Sequence, residues 1–312
     1  MKPFTGILIR NAHPDSLIIS CGSVMFGLAA AVIRGGVSLF PAFLTLLFAL
    51  FLQISSNLLY SYFDMSKMLK ENVGFKTLVY DSPDINWTKV RLLKVASNGF
   101  AILAATASLP LFTFIGWIGV TYVAVIMILL YFYFSGPRAV VNTPYSLIMT
   151  FIVFGPLTVS GTALIQDVHN LQWLPIIVYS MISGFMACNF HIAIQHKRLQ
   201  EDIGRGKTSL LISGGFRFVR YVFLFNSLVV AVILNLRPCV YDVVPQWVPA
   251  VLGVALLVST VYVVSFMKTH SSRNINKISS VTRGQYILFI IVLVLVVAGS
   301  IQDYKFNVLH LI

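Results

Sequence analysis

Nine runs of roughly 20 apolar residues restrict this chain more than any other feature, because each is long enough to cross a bilayer's hydrocarbon core as a helix. They cover residues 16–34, 39–63, 93–112, 115–134, 144–165, 173–194, 216–236, 247–267 and 285–302, with the third and fourth split only at Phe114-Ile115-Gly116 after Pro110. A chain that is 58% hydrophobic and 10% charged, with a mean hydropathy of +0.87, cannot hide its apolar surface in a water-soluble core. The expected fold is an all-α integral membrane bundle of nine transmembrane helices around a central cavity. Without Ser/Gly/Pro-rich linkers or charged tails, residues 1–312 read as a single membrane domain. The first apolar run lacks the layout of a cleaved signal peptide.

The net charge of +12 is a topology signal here, not a nucleic-acid footprint. Of the 22 Lys and Arg residues, nineteen fall in the N-terminal arm or after even-numbered spans, and three (Arg34, Arg237, Lys305) on the other side. The positive-inside rule then expects a cytoplasmic N-terminus and an outside C-terminus. Cys21, Cys188 and Cys239 form neither a disulfide framework nor a metal spacing.

Two stretches carry polar groups where lipid would not tolerate them. Gln53, Asn57, Ser61 and Asp64 follow one another at helical spacing on one face, at the end of the second span. Asn189 to Ser209, at the end of the sixth, has the same design. Polar groups inside membrane helices are costly and face a bundle interior or a wet cavity, so the two stretches are expected to line one chamber. The segments 64–92 and 195–215 read as long inside loops, four spans apart, which hints at a pseudo-repeat. Gly204-Arg205-Gly206-Lys207-Thr208 mimics the end of a phosphate-binding loop. It fails the pattern, because Glu201 stands where the first glycine belongs and the segment follows a membrane helix. No nucleotide is expected.

Several strings carry a family resemblance: Gln53-Ile54-Ser55-Ser56-Asn57-Leu58 leading to Tyr62-Phe63-Asp64, and Tyr133-Phe134-Ser135-Gly136-Pro137-Arg138. Phe154-Gly155-Pro156-Leu157-Thr158-Val159-Ser160-Gly161-Thr162 with Gln166, and Gly206-Lys207-Thr208-Ser209-Leu210, add to it; the fifth-span string is the most specific. Over most of its length the chain resembles the UbiA superfamily of intramembrane prenyltransferases, and within it the dihydroxynaphthoate prenyltransferases of menaquinone synthesis. The resemblance implies nine helices and transfer of a prenyl chain from a prenyl diphosphate to an aromatic quinone-precursor acceptor. It also implies Mg²⁺ held by aspartates, and a multi-pass protein of a bacterial inner (plasma) membrane. Lipid and two small molecules are the implied partners.

The chain departs from the family pattern at its Asp-rich motifs. In the first, Tyr60 and Ser61 replace the leading Asn-Asp, Asp64 matches the middle aspartate, and no third aspartate follows. In the second, Arg198 replaces the first aspartate, Asp202 matches the last, and Glu201 is added. Three readings stay open. Asp64, Glu201 and Asp202 hold one Mg²⁺; or Lys67, Lys70, Lys197, Arg198 and Arg205 replace the metal on the phosphates; or the protein binds an isoprenoid, quinone or lipid without catalysis.

On the enzyme reading, Asp64 and Asp202 carry catalysis, Asn57 orients the first motif, and Lys67, Arg138, Arg198 and Lys207 hold the diphosphate. Tyr60, Tyr62 and Phe63 serve either a carbocation's path or an interfacial aromatic belt. Asn189 reads as an interhelical tie; His191 and His196, five apart, do not read as a metal pair; Glu71, Asp81 and Asp84 read as solvated or capping residues.

Overall fold

The computed structural model describes residues 2–35, 37–70, 87–134, 139–166, 172–236, 247–268 and 271–309, and these residues contain helices and turns without a strand. Two helices precede the first polar stretch: α1 (Lys2–Asn11) and α2 (Pro14–Gly35). Then follow α3 (Leu39–Lys70), α4 (Trp87–Ser108), the short α5 (Phe112–Ile115) and α6 (Trp117–Phe134). The fifth span is built from α7 (Ser146–Ile152) and α8 (Thr158–Gln166), joined by a π-helical turn. The chain continues through α9 (Trp173–Gly204), α10 (Leu210–Asn235), α11 (Trp247–Phe266) and α12 (Ser272–Leu309). Among the described residues nine helical segments are long and apolar enough to cross a membrane.

Two loop expectations need correction. Residues 195–204 are helical, the last three turns of α9, so the connection to α10 is only residues 205–209. Residues 64–70 likewise belong to α3. The first polar stretch therefore sits on helix throughout, and the second does so as far as Gly204.

α2 and α9 run through the middle of the bundle. Phe26 packs between the rings of Tyr179 and Phe289, and Val24, Ala29, Ile182 and Ala187 are fully buried around it. Because lipid tails are as apolar as Leu, such helices associate through close packing and interhelical hydrogen bonds instead of hydrophobic burial. Ser55 and Ser97 exchange hydroxyl-to-carbonyl bonds of 2.9 Å between α3 and α4. Asn226 donates to Asn189 (2.9 Å), Asn189 to Ser227 (2.8 Å), Thr260 to Ser227 (2.9 Å) and Gln285 to Thr260 (3.3 Å), which ties α9, α10, α11 and α12 together. Asn189 thus serves the interhelical tie read from the sequence.

The fifth-span string has a structural cause. Pro156 has no N–H and its ring clashes with the preceding turn, so the helix widens into a π-turn over Val153–Leu157. The freed carbonyls are met locally: Ser183 donates to Phe154 O (2.6 Å) and Thr158 to Val153 O (2.7 Å). Gly155 lets this wide turn lie on α9, since a Cβ there would come within 2.6 Å of Ser180 O.

Candidate functional site

The two polar stretches meet at one end of the bundle, around a cavity of about 640 Å³. α3 supplies Gln53, Ser56, Asn57 and Tyr60; α9 supplies His191, Gln195, Lys197, Arg198, Glu201 and Asp202; Arg10, His13, Tyr133, Lys207 and Thr282 complete much of the lining. A second, almost wholly apolar slot of about 130 Å³ adjoins it, and Gln53, Ser56, Leu130, Val153 and Phe154 line both. The slot follows α3 from Gln53 back to Thr45, roughly 12 Å at helical rise, with α6 and α8 as its other walls. The π-turn therefore lies where the polar chamber passes into the apolar slot, and Phe154 stands at that junction.

Lys207 reaches the chamber through a specific turn. At the end of α9 the N–H of Gly206 bonds Ile203 O (3.0 Å) and that of Lys207 bonds Asp202 O (3.0 Å). With Gly206 at φ +65°, this is a Schellman cap, which reverses the chain and folds Lys207 back over the helix end. The Gly-Lys-Thr string is a helix terminus, as its departure from the phosphate-loop pattern implied.

The folded-back ammonium lies between both aspartates. Lys207 Nζ is 3.2 Å from Asp64 Oδ1 and 3.3 Å from Asp202 Oδ1, bonds the Tyr60 hydroxyl, and lies 4.7 Å from that ring's centre. Arg205 pairs with Asp64 and lies 4.0 Å from Glu201. Burial lowers the Lys207 pKa, but Tyr60, Asp64 and Asp202 together outweigh it and hold the amine above the ordinary lysine value. Arg198 has a different role. Its Nη2 lies 2.6 Å from His13 Nε2 and 3.0 Å from Nδ1, and its guanidinium stacks 5.4 Å from the Tyr60 ring centre. Lys197 pairs with Asp15 at 3.5 Å.

Placed residue by residue, the sequence expectations divide. Asp202, Glu201, Arg198 and Lys207 line the chamber; Asp64 sits behind Lys207. Asn57 lines it too, but it does not orient Asp64: its Nδ2 donates to Ala12 O (2.7 Å) and Ser16 Oγ (2.8 Å), fastening α3 to the turn between α1 and α2. Lys67 is exposed, apart from the chamber lining, so the diphosphate contact expected of it does not fit. Arg138, Glu71, Asp81, Asp84 and Cys239 lie outside the described residues. Tyr60 is a platform for two fixed cations in this arrangement. A shared Mg²⁺ on Asp64, Glu201 and Asp202 does not fit these residues: the position between Asp64 and Asp202 is filled by an ammonium, and no three His, Cys, Asp or Glu among the described residues converge as metal ligands.

His13 and Arg10 were missed by sequence reasoning. On α1, Ile7 and Leu8 are half-buried while Arg10 is exposed, a pattern that marks Arg10. A lone histidine before Pro14 gives no comparable signal. Burial, then Arg198 and Lys197, push the His13 pKa down from 6.5 to about 3. Between those values an unfolded chain takes up a proton that the folded chain refuses, so stability falls as pH falls through that window. The expected loss is on the order of 1–3 kcal/mol after allowing for partial exposure. Thermal unfolding of the detergent-solubilised protein from pH 7 to 4 checks it; His13→Asn, which tolerates the left-handed backbone at this position (φ 48°), should flatten the slope.

With the geometry in hand, the chain can be set beside known proteins. No protein-family profile matches it, and no curated protein sequence does. Solved structures do match. A UbiA homologue from Archaeoglobus fulgidus superposes with a TM-score of 0.60 at 15% identity, over 94% of this chain and 99% of the other. A digeranylgeranylglyceryl phosphate synthase matches at TM-score 0.56 and 17% identity, over 97% and 100%. A UbiA homologue from Aeropyrum pernix K1 matches at 0.58 and 13%, over 92% and 98%. The chain has the UbiA fold. The Archaeoglobus homologue has been solved with DMAPP and Mg²⁺ and with GPP and Mg²⁺. Within the UbiA fold, the ends of α3 and α9 enclose the candidate site of this chain.

Proposed function

We propose that the protein is an intramembrane prenyltransferase that moves a prenyl chain from a prenyl diphosphate to an aromatic quinone-precursor acceptor such as dihydroxynaphthoate. One observation carries this reading: a cation-rich polar chamber opens directly into an apolar slot, the shape of a ligand with an anionic head and a hydrocarbon tail. The UbiA fold and the GPP and DMAPP complexes of the Archaeoglobus homologue support the same class of donor.

On this reading Arg10, Lys197 and Arg198 receive the diphosphate, Arg138 joins them on the sequence resemblance alone, and the tail enters the slot past Phe154. The bond from the allylic carbon to oxygen breaks, its electron pair leaves with the diphosphate, and the aromatic ring attacks the cation and then loses a proton. Guanidinium groups aimed at the leaving group stabilise its growing charge. Tyr60 and Tyr133 present π-faces toward the cation, while His191 and Gln195 offer the acceptor's hydroxyls hydrogen-bonding partners. The excess of basic residues on one side supports an arrangement in a bacterial plasma membrane with the chamber at the cytoplasmic face.

The test is diphosphate release by purified protein given a panel of prenyl diphosphates with dihydroxynaphthoate. Release dependent on the acceptor is expected. Saturable binding of a donor with no release would favour the second reading, a non-catalytic isoprenoid-binding protein. That alternative draws on the commitment of Asp64 and Asp202 to fixed cations.

A further inference from the structure

Three carboxylates gather below the chamber, and each already has a cation belonging to the chain. Lys207 bridges Asp64 (3.2 Å) and Asp202 (3.3 Å), while Arg205 contacts Asp64 and approaches Glu201 (4.0 Å). The ammonium donates to the Tyr60 hydroxyl and stands within ion-pair distance of both Asp64 and Asp202. The lysine side chain is 6% exposed, and those of Asp64 and Asp202 are 13% and 9%. A cation so desolvated persists because anions surround it, and the ammonium in turn offsets the mutual repulsion of the two aspartates. The Schellman cap at Gly206 fixes the placement through the backbone, independently of the charges.

We propose that Lys207 occupies the place of a divalent ion between the two Asp-bearing helices, so that the site binds a prenyl diphosphate without any divalent metal. The inference rests on the prenyl diphosphate reading above. Lys207 offsets the carboxylate charge and braces α3 against α9; with its ammonium held between them, it leaves direct contact with the anion to Arg198, Lys197 and Arg10. A divalent ion entering between the aspartates would have to expel an ammonium fixed by three contacts, whereas a water-filled carboxylate cage would admit it freely. The site is therefore indifferent to the supply of metal.

Calorimetric titration of the solubilised protein with geranyl diphosphate, in EDTA and in millimolar Mg²⁺, separates the possibilities. The expected Kd values agree within about threefold, once complexation of Mg²⁺ by the free diphosphate is allowed for. Binding seen in Mg²⁺ and lost in EDTA would overturn this inference and leave the prenyl diphosphate reading standing. Binding in neither buffer would overturn both. A second measurement needs no donor. Mg²⁺ alone should move the wild-type Tm by less than about 1 °C, whereas Lys207→Ala, which uncovers Asp64 and Asp202, should gain several degrees from the same ion. A wild-type Tm that climbs with Mg²⁺, or a folded Lys207→Ala protein that ignores it, would count against the proposal. Where Lys207→Ala does not fold, the two wild-type measurements still decide.

Discussion

Replacing Arg198 with alanine is expected to weaken the binding of geranyl diphosphate by about 30- to 100-fold, the largest loss at any single position in the chamber. The figure corresponds to about 2–3 kcal/mol, typical of charge-assisted hydrogen bonds to a phosphate oxygen. Arg198 earns this rank through its placement. It lines the chamber on rigid helix, stacks over Tyr60, and is oriented by a neutral His13 that accepts from it. Lys207 and Arg205 are spent on carboxylates, so removing either leaves the anion's own contacts in place. Arg198→Lys keeps the charge but loses the planar fork and the stacking; a smaller loss, about tenfold, is expected. Titration of both variants checks the pair. Equal affinities in Arg198→Ala and the wild type would place the diphosphate elsewhere.

The largest stability effect is expected at Asp64. Asp64→Ala strips Arg205 and Lys207 of their shared partner while both remain mostly buried, leaving Glu201 and Asp202 as their remaining counterions. The expected cost lies toward the lower end of the about 3–5 kcal/mol of a broken buried pair. Asp202→Ala should cost less, because Asp202 answers Lys207 alone among the ion pairs and Lys207 keeps Asp64. The double variant Asp64→Ala/Arg205→Ala should be less destabilised than the two single losses combined, since each removal takes away the other's reason for being buried. Thermal unfolding in one detergent ranks these variants together with Arg205→Ala alone. Additive losses would show that Asp64 and Arg205 are coupled weakly despite their contact.

The membrane spans were legible because hydropathy over some 20 residues reports directly on the cost of leaving lipid. The same signal ended the second span near residue 63 and the sixth near 194, although α3 runs to Lys70 and α9 to Gly204. Past the apolar run, Met65, Lys67 and Leu69, or Gln195, Lys197 and Glu201, are good helix formers, and propensity rather than hydropathy carries the helix on. Asp64, Asp202, Arg198 and Lys207 were legible as one group because they flank matching helix ends. Their pairing was not. It depends on Gly206 at positive φ, which turns a lysine read from the sequence as a diphosphate contact into the counterion of two aspartates. Asn57 was misread for a similar reason: its partners, Ala12 and Ser16, lie more than forty residues earlier in the chain, in a turn with no sequence signature.

The wall between the slot and the outside of the bundle is a single helix thick. Tyr122, Val123, Ile126 and Leu130 of α6 face the slot, while Val120, Val125, Met127 and Ile128 on its other side are exposed to the surroundings. That thin wall gives the traffic two doors. On the proposed reading a donor arrives with its diphosphate and is held at the basic end, whereas the prenylated product has lost the diphosphate and gained a tail. On that reading the bilayer beyond α6 is the natural solvent for the acquired tail. Turnover on this plan would deliver the product into the leaflet, so that detergent or bilayer thickness around α6 governs how fast it departs.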